Sequence, residues 1–185
     1  MKKIPNPQGK GLTPLLTGLA DARPNSVLPP KQINQITNEL FTSLFVLSAR
    51  FEFKPVRGKS YWLYLVDNEF RLFAISPDSW SGKVPGQYIG ECILQEDITW
   101  TIELDELVVN EKWFNDLIDE ERKRIVEQLE LAKNIETAMP AYNIKIRYYQ
   151  RLLMYGLGIS LKTSMQRAGI NQLAYQDAAA LLTTK

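Results

Sequence analysis

The chain of 185 residues has no histidine and one cysteine, Cys92. These absences exclude zinc sites of the Cys/His type, cysteine–histidine nucleophiles and serine–histidine–aspartate triads within a single chain. Cys92 sits in the apolar-leaning run from Tyr88 to Leu94, where a small buried hydrophobe is expected rather than a reactive thiol. Long apolar runs are lacking too. Stretches such as Leu44 to Leu47 and Tyr61 to Val66 fall far short of the roughly 20 residues that cross a bilayer, so no membrane span is expected. Lys2 and Lys3 are followed by Ile4-Pro5-Asn6-Pro7-Gln8-Gly9 with no apolar core of a secretory signal, and the expected location is cytoplasmic. No spacing of a known metal or cofactor site occurs, so neither a metal nor a cofactor is expected, and no residue is singled out as catalytic.

What the chain does have is 45% hydrophobic residues, enough to bury a real core. Its net charge of +1 conceals an uneven distribution. Residues 1–60 carry nine basic and three acidic residues, residues 61–110 two and nine, residues 111–137 five and eight, and residues 138–185 six and one. Basic ends flank an acidic middle. Opposite charges of this kind fold onto one another, or the basic ends form a patch for an acidic partner such as nucleic acid.

Residues 1–30 hold six prolines and three glycines, a composition that forbids a long helix or a central strand. They read as a proline-rich arm with at most a helical turn from Leu15 to Ala22. Gly9-Lys10-Gly11 lacks the spacing and the following Ser/Thr of a phosphate loop. From Lys31 to about Ala49, Ile33, Ile36, Leu40, Leu44 and Leu47 recur at helical spacing, widened by Phe41 and Phe45. Phe51-Glu52-Phe53-Lys54 alternates like a short strand. Tyr61 to Val66 and Phe70 to Ile75 read as strands joined at Asp67-Asn68, a good hairpin pair. Ser76-Pro77 sets a corner that returns Trp80 to the sheet. Gln87 to Leu94 is a strand whose Gly90 marks a bulge or a close approach, and Ile98, Trp100 and Ile102 alternate along a last, half-buried strand near an edge.

The remainder reads as helical. Asn110 caps a short helix through Trp113 and Phe114, Asp119 caps a longer one through Ile125, and a third from Tyr142 to Tyr155 is broken by Gly156 and Gly158. Ser160 to Ala168 and Asn171 to Leu182 follow. The expected fold is α+β: an antiparallel β-meander of four to five strands with an N-terminal helix and a C-terminal helical bundle. Residues 1–30 form the arm, 31–104 the helix and meander core, and 105–185 the C-terminal helical region.

The meander also resembles the domain-of-unknown-function 2452 family of uncharacterised proteins. Its pattern is carried by Tyr61, Leu63 and Tyr64, by Ile75, Ser76, Pro77 and Trp80, by Pro85, Gly90 and Leu94, and by Asp97, Trp100 and Thr101. The resemblance covers roughly residues 54 to 102. It implies no activity, substrate or catalytic residue, and supports the meander as a unit.

Three function classes follow from the residues. The first is a protein-binding or scaffold module using Tyr64, Trp80, Tyr88, Gly90 and Trp100, since aromatic residues are enriched at recognition hot spots and are equally natural core filling. The second is nucleic-acid binding through Lys145, Arg147, Arg151, Lys162 and Arg167, with Arg167-Ala168-Gly169-Ile170 as the turn of a helix-turn-helix. The third is a histidine-free enzyme using carboxylates such as Glu96-Asp97 or Asp105-Glu106. The expected partner is another protein, with nucleic acid as the alternative and no membrane; self-association is left open.

Overall fold

The computed structural model describes residues 30–130 and 146–170. The proline-rich arm, the start of the helix expected from Tyr142, Lys145 and the helix expected from Asn171 lie outside the described residues. Helix α1 spans Ile33–Ser48 and buries Ile36, Leu40, Leu44 and Leu47, the positions whose spacing predicts it. Four strands follow: β1 Ser60–Val66, β2 Glu69–Phe73, β3 Gln87–Leu94 and β4 Trp100–Leu104. All pair antiparallel, and the fold is α+β as expected.

The strand order is β2-β1-β3-β4, so the sheet departs from a sequential meander. β2 returns beside β1 through Asp67 and Asn68, which both adopt positive φ (51° and 61°), the backbone of a type I′ hairpin. The chain then leaves the edge through a 3₁₀ turn at Pro77–Ser79 and crosses the sheet to place β3 on the other side of β1. Pro77 occupies the first turn, where its missing N–H costs nothing. Phe51 to Lys54 adds no fifth strand. Only Arg50 bridges to Arg71 on the outer edge of β2, where its N–H donates to the Phe70 carbonyl at 2.8 Å and its carbonyl accepts from the Leu72 N–H at 3.0 Å.

Gly90 meets both expectations for a glycine inside a strand. The register between β1 and β3 slips beside it, with Leu63 opposite Gly90 and Tyr64 opposite Tyr88, leaving Ile89 as the extra residue. A Cβ on Gly90 would stand 2.3 Å from the Glu103 carbonyl oxygen, so β4 can approach β3 this closely only because no side chain is there.

α1 lies on one face of the sheet. There Tyr61, Leu63, Leu72, Ile89, Cys92, Leu94 and Trp100 join the buried side of α1 in a single core. Two polar ties fix this packing. The Trp100 N–H donates to Ser43 Oγ at 2.9 Å, and Lys31 at the start of α1 reaches Asp97 in the β3–β4 turn at 2.8 Å.

Helix boundaries after β4 differ from the expectation. Asp105 caps a short helix, α2 (Glu106–Val109), by accepting from the Leu107 N–H at 2.8 Å. A single helix, α3, then spans Lys112–Glu130 without a break at Asp119. α4 spans Tyr148–Arg167 and runs straight through Gly156 and Gly158. Packing outweighs the roughly 1 kcal/mol that each glycine costs in a helix interior. Gly158 is buried, and a Cβ on Gly156 would already touch the Ile98 side chain at 3.4 Å. α4 is anchored to α1 by Gln150, whose amide donates to the Leu47 and Ala49 carbonyls at 3.2 and 2.8 Å and so satisfies groups that the end of α1 leaves open. It ends in a Schellman motif: Gly169 has φ 73°, its N–H donates to the Gln166 carbonyl, and the Ile170 N–H donates to the Met165 carbonyl.

Candidate functional site

The structure separates the five residues expected to form a binding groove. Trp100 is fully buried against Tyr61, their ring centroids 5.9 Å apart, on the α1 side of the sheet. Gly90 is buried in the β3–β4 contact. Tyr64, Trp80 and Tyr88 do meet, on the opposite face, and Phe73 joins them. Tyr64 lies 5.5 Å from Phe73, 6.4 Å from Trp80 and 5.4 Å from Tyr88, and the Phe73 and Trp80 rings are 5.5 Å apart, mostly edge to face. These rings therefore fill a second, smaller apolar layer, with Trp80 folded over Tyr64 by the Ser76-Pro77 corner.

Tyr64 is completely covered, by rings that are themselves only half-buried. Burial pushes its phenol up, and the neighbouring Trp80 indole N–H, which favours the phenolate, offsets only part of this. The two groups fall short of hydrogen-bond geometry, and neither has another partner among the described residues. Burial also pushes the Tyr88 phenol up to about 12, with Glu91 adding to the effect. The free Cys92 thiol is buried and is likewise pushed up to about 12, chiefly by burial. None of these groups is set up to give up a proton near neutral pH.

Of the carboxylates considered for acid–base work, Asp97 and Asp105 are engaged structurally. Asp97 accepts from Lys31 and from the Thr99 hydroxyl and N–H, and Asp105 caps α2. Glu96 is exposed and lies 3.8 Å from Arg57. Between α1, β4 and α3 lies an open cleft of about 280 Å³, floored by Phe41, Phe45, Ile102, Leu104 and Phe114. Arg122 closes one side by stacking over Phe41 at 5.2 Å.

Arg147 pairs with Glu52 at 2.6 Å, while Arg151, Lys162 and Arg167 lie along α4. More informative is the apolar pattern of α4, obscured in the sequence by the apparent breaks at Gly156 and Gly158. Gln150, Met154, Leu157, Leu161 and Met165 form its inner face, packed toward α1. Tyr148, Leu152, Tyr155 and Ile159 occur at spacings of four, three and four, about half a turn away from that face. They are 65%, 51%, 55% and 45% exposed. A helix apolar on two opposite faces is suited to burial between two neighbours, and the described residues leave the second face of α4 largely exposed.

Helices on one face of a four-stranded antiparallel sheet define an α+β protein. Residues 30–120 match the family model described as "Protein of unknown function (DUF2452)", the family that the sequence resembles. The match runs from the start of α1 into α3 and leaves α4 outside it. No curated protein and no solved structure matches the chain. Among the described residues, no helix is long and apolar enough to cross a membrane.

Proposed function

We propose that this protein is a cytoplasmic protein-recognition or scaffold module and that α4 is its docking element. The observation that carries the reading is the exposed stripe Tyr148, Leu152, Tyr155 and Ile159 on a helix whose other face is already packed. The aromatic residues of the sheet contribute the frame rather than the contact. A free, buried Cys92 fits a reducing compartment.

The test is affinity capture from the native cell with nuclease treatment, comparing the natural chain with a Leu152→Glu/Ile159→Glu variant. A protein captured by the first and lost by the second, at unchanged thermal stability, is the expected result. Capture unaffected by the substitutions removes α4 as the docking element.

One observation favours nucleic acid as a second reading. α4 contains no acidic residue, and its exposed tyrosines stand among Arg151, Lys162 and Arg167. Binding of DNA or RNA at low salt that fades steeply as salt rises would support it. Leu152 and Ile159, which cannot stack on bases as aromatic rings do, count against it.

A further inference from the structure

We propose that the outer margin of β4 binds an extended segment of another protein in which apolar residues alternate with lysine or arginine. The site is separate from the α4 stripe, so the two readings fail independently. It begins with main-chain groups. The Asp105 N–H donates to the Ile89 carbonyl and the Gln95 N–H to the Thr99 carbonyl, which turns the odd-numbered residues along β4 toward β3. Trp100, Ile102 and Leu104 therefore present their N–H and C=O groups outward. Ser43 takes the Trp100 N–H. The N–H and C=O groups of Ile102 and Leu104 have no partner among the described residues. At the opposite margin of the sheet Arg50 occupies the Phe70 carbonyl and the Leu72 N–H, so among the described residues β4 is the margin left open. A row of unpaired groups of this kind is the template on which an extended peptide adds as a further strand.

The side chains that such a strand carries follow from the two faces of β4. Ile102 and Leu104 lie on the α1 side and line the cleft with Phe41, Phe45 and Phe114. A strand added at the usual spacing of roughly 4.8 Å places every second side chain on that side. There the cleft of about 280 Å³ offers apolar walls, and Arg122 repels a cation. On the other face Glu103 is exposed and stands directly opposite Glu91 of β3. Neither carboxylate has a hydrogen bond or an ion pair among the described residues. Like charges paired across adjacent strands oppose each other, and a cation on the added strand opposite Glu103 relieves this. Alternation of apolar and basic residues thus matches both faces at once, with a period of two that a helix cannot follow.

The test uses the full chain and three synthetic peptides of seven residues, blocked at both ends and carrying valine at alternate positions. Lysine fills the positions between in the first and glutamate in the second. The third is the lysine peptide with its internal amides N-methylated, which leaves it no N–H to pair. Binding is measured by fluorescence anisotropy at low and at physiological salt. The expected result is at least tenfold tighter binding of the lysine peptide than of the glutamate peptide at low salt, with the difference shrinking as salt rises. The methylated copy should bind at least tenfold more weakly than its parent, and amide hydrogen exchange at Ile102 and Leu104 should slow when the lysine peptide binds. Glu91→Gln/Glu103→Gln should bring the lysine and glutamate peptides together. Asn38→Trp, which fills the cleft from its rim, should weaken the lysine peptide at unchanged thermal stability.

Equal binding of the lysine and glutamate peptides by the natural chain would overturn the basic partner. A methylated copy that binds as well as its parent, or unchanged exchange at Ile102 and Leu104, would overturn strand addition. Failure of the lysine peptide to bind would overturn the site. Slow exchange of the two amides in the free chain at every concentration would mean that the margin is covered within the chain itself. Protection that grows with protein concentration would assign it to a second copy, and either result overturns the proposal. The peptide and exchange measurements use the natural chain and so do not depend on a variant folding. Exchange at Ile102 and Leu104 reports on β4 alone, and the α4 reading stands or falls on the lysate comparison.

Discussion

At the scale of single residues, the structure makes Gly90 and Cys92 the sharpest tests. A methyl group on Gly90 has nowhere to go, because the atom it would strike, at 2.3 Å, is the Glu103 backbone oxygen. Gly90→Ala must separate β3 from β4, and an overpacking cost of about 2–3 kcal/mol is expected in urea denaturation. Cys92, with its thiol held near 12, should not react with an aromatic disulfide reagent at pH 8 until the protein is unfolded. Fast labelling of the native protein would contradict the packing of β3. Both residues were legible in the sequence, since a glycine inside a strand and a cysteine in an apolar run each have few structural uses. Tyr64 and Trp100 were not. Which face of a strand meets the helix depends on the pairing register, and one bulge at Ile89 changes the parity that a sequence pattern would carry across β3.

Between elements, the tie from α1 to the β3–β4 turn has a defined acid dependence. Burial alone would raise the Asp97 carboxyl, but the Lys31 ammonium and the Thr99 hydroxyl and N–H outweigh it and hold the group below the ordinary carboxylate range. A depressed carboxyl stabilises the fold above its unfolded value, near 3.9, and loses that contribution as pH falls through its folded value. For Lys31, burial lowers the ammonium's pKa but Asp97 and Glu39 raise it above the ordinary lysine value. Its contribution is therefore present at neutral pH and fades only in strong alkali. Asp97→Ala should cost about 1 kcal/mol at pH 7, a figure kept small because the pair is partly exposed to solvent. In denaturation curves across pH the difference between the variant and the natural chain should begin to shrink only as pH falls below about 4, and close as the folded carboxyl is protonated. A difference that stayed constant down to pH 2 would mean that the carboxylate charge is not what holds the turn. The elements themselves were largely readable from periodicity, but their contacts were not. Lys31 and Asp97 are 66 residues apart, and Gln150 reaches carbonyls 101 and 103 residues away. The same limit explains the misplaced break in α4, where Ile98 fills the space beside Gly156.

For the molecule as a whole, the two faces of α4 should separate folding from recognition. Leu157 is fully buried in the shared core, so Leu157→Ala should cost about 2–5 kcal/mol and leave a cavity. Leu152→Ala, on the exposed stripe, should change stability by about 0.5 kcal/mol or less. Equal losses in thermal unfolding would show that both faces are interior. The order of the strands has a different kind of consequence. The outer margin of β2 is where a four-stranded sheet would recruit a fifth strand from a neighbouring molecule, yet Arg50 already occupies the Phe70 carbonyl and the Leu72 N–H there. One residue leaving α1 thus works as a stopper: another chain could stack onto this margin only after prising Arg50 away, a built-in brake on fibril growth.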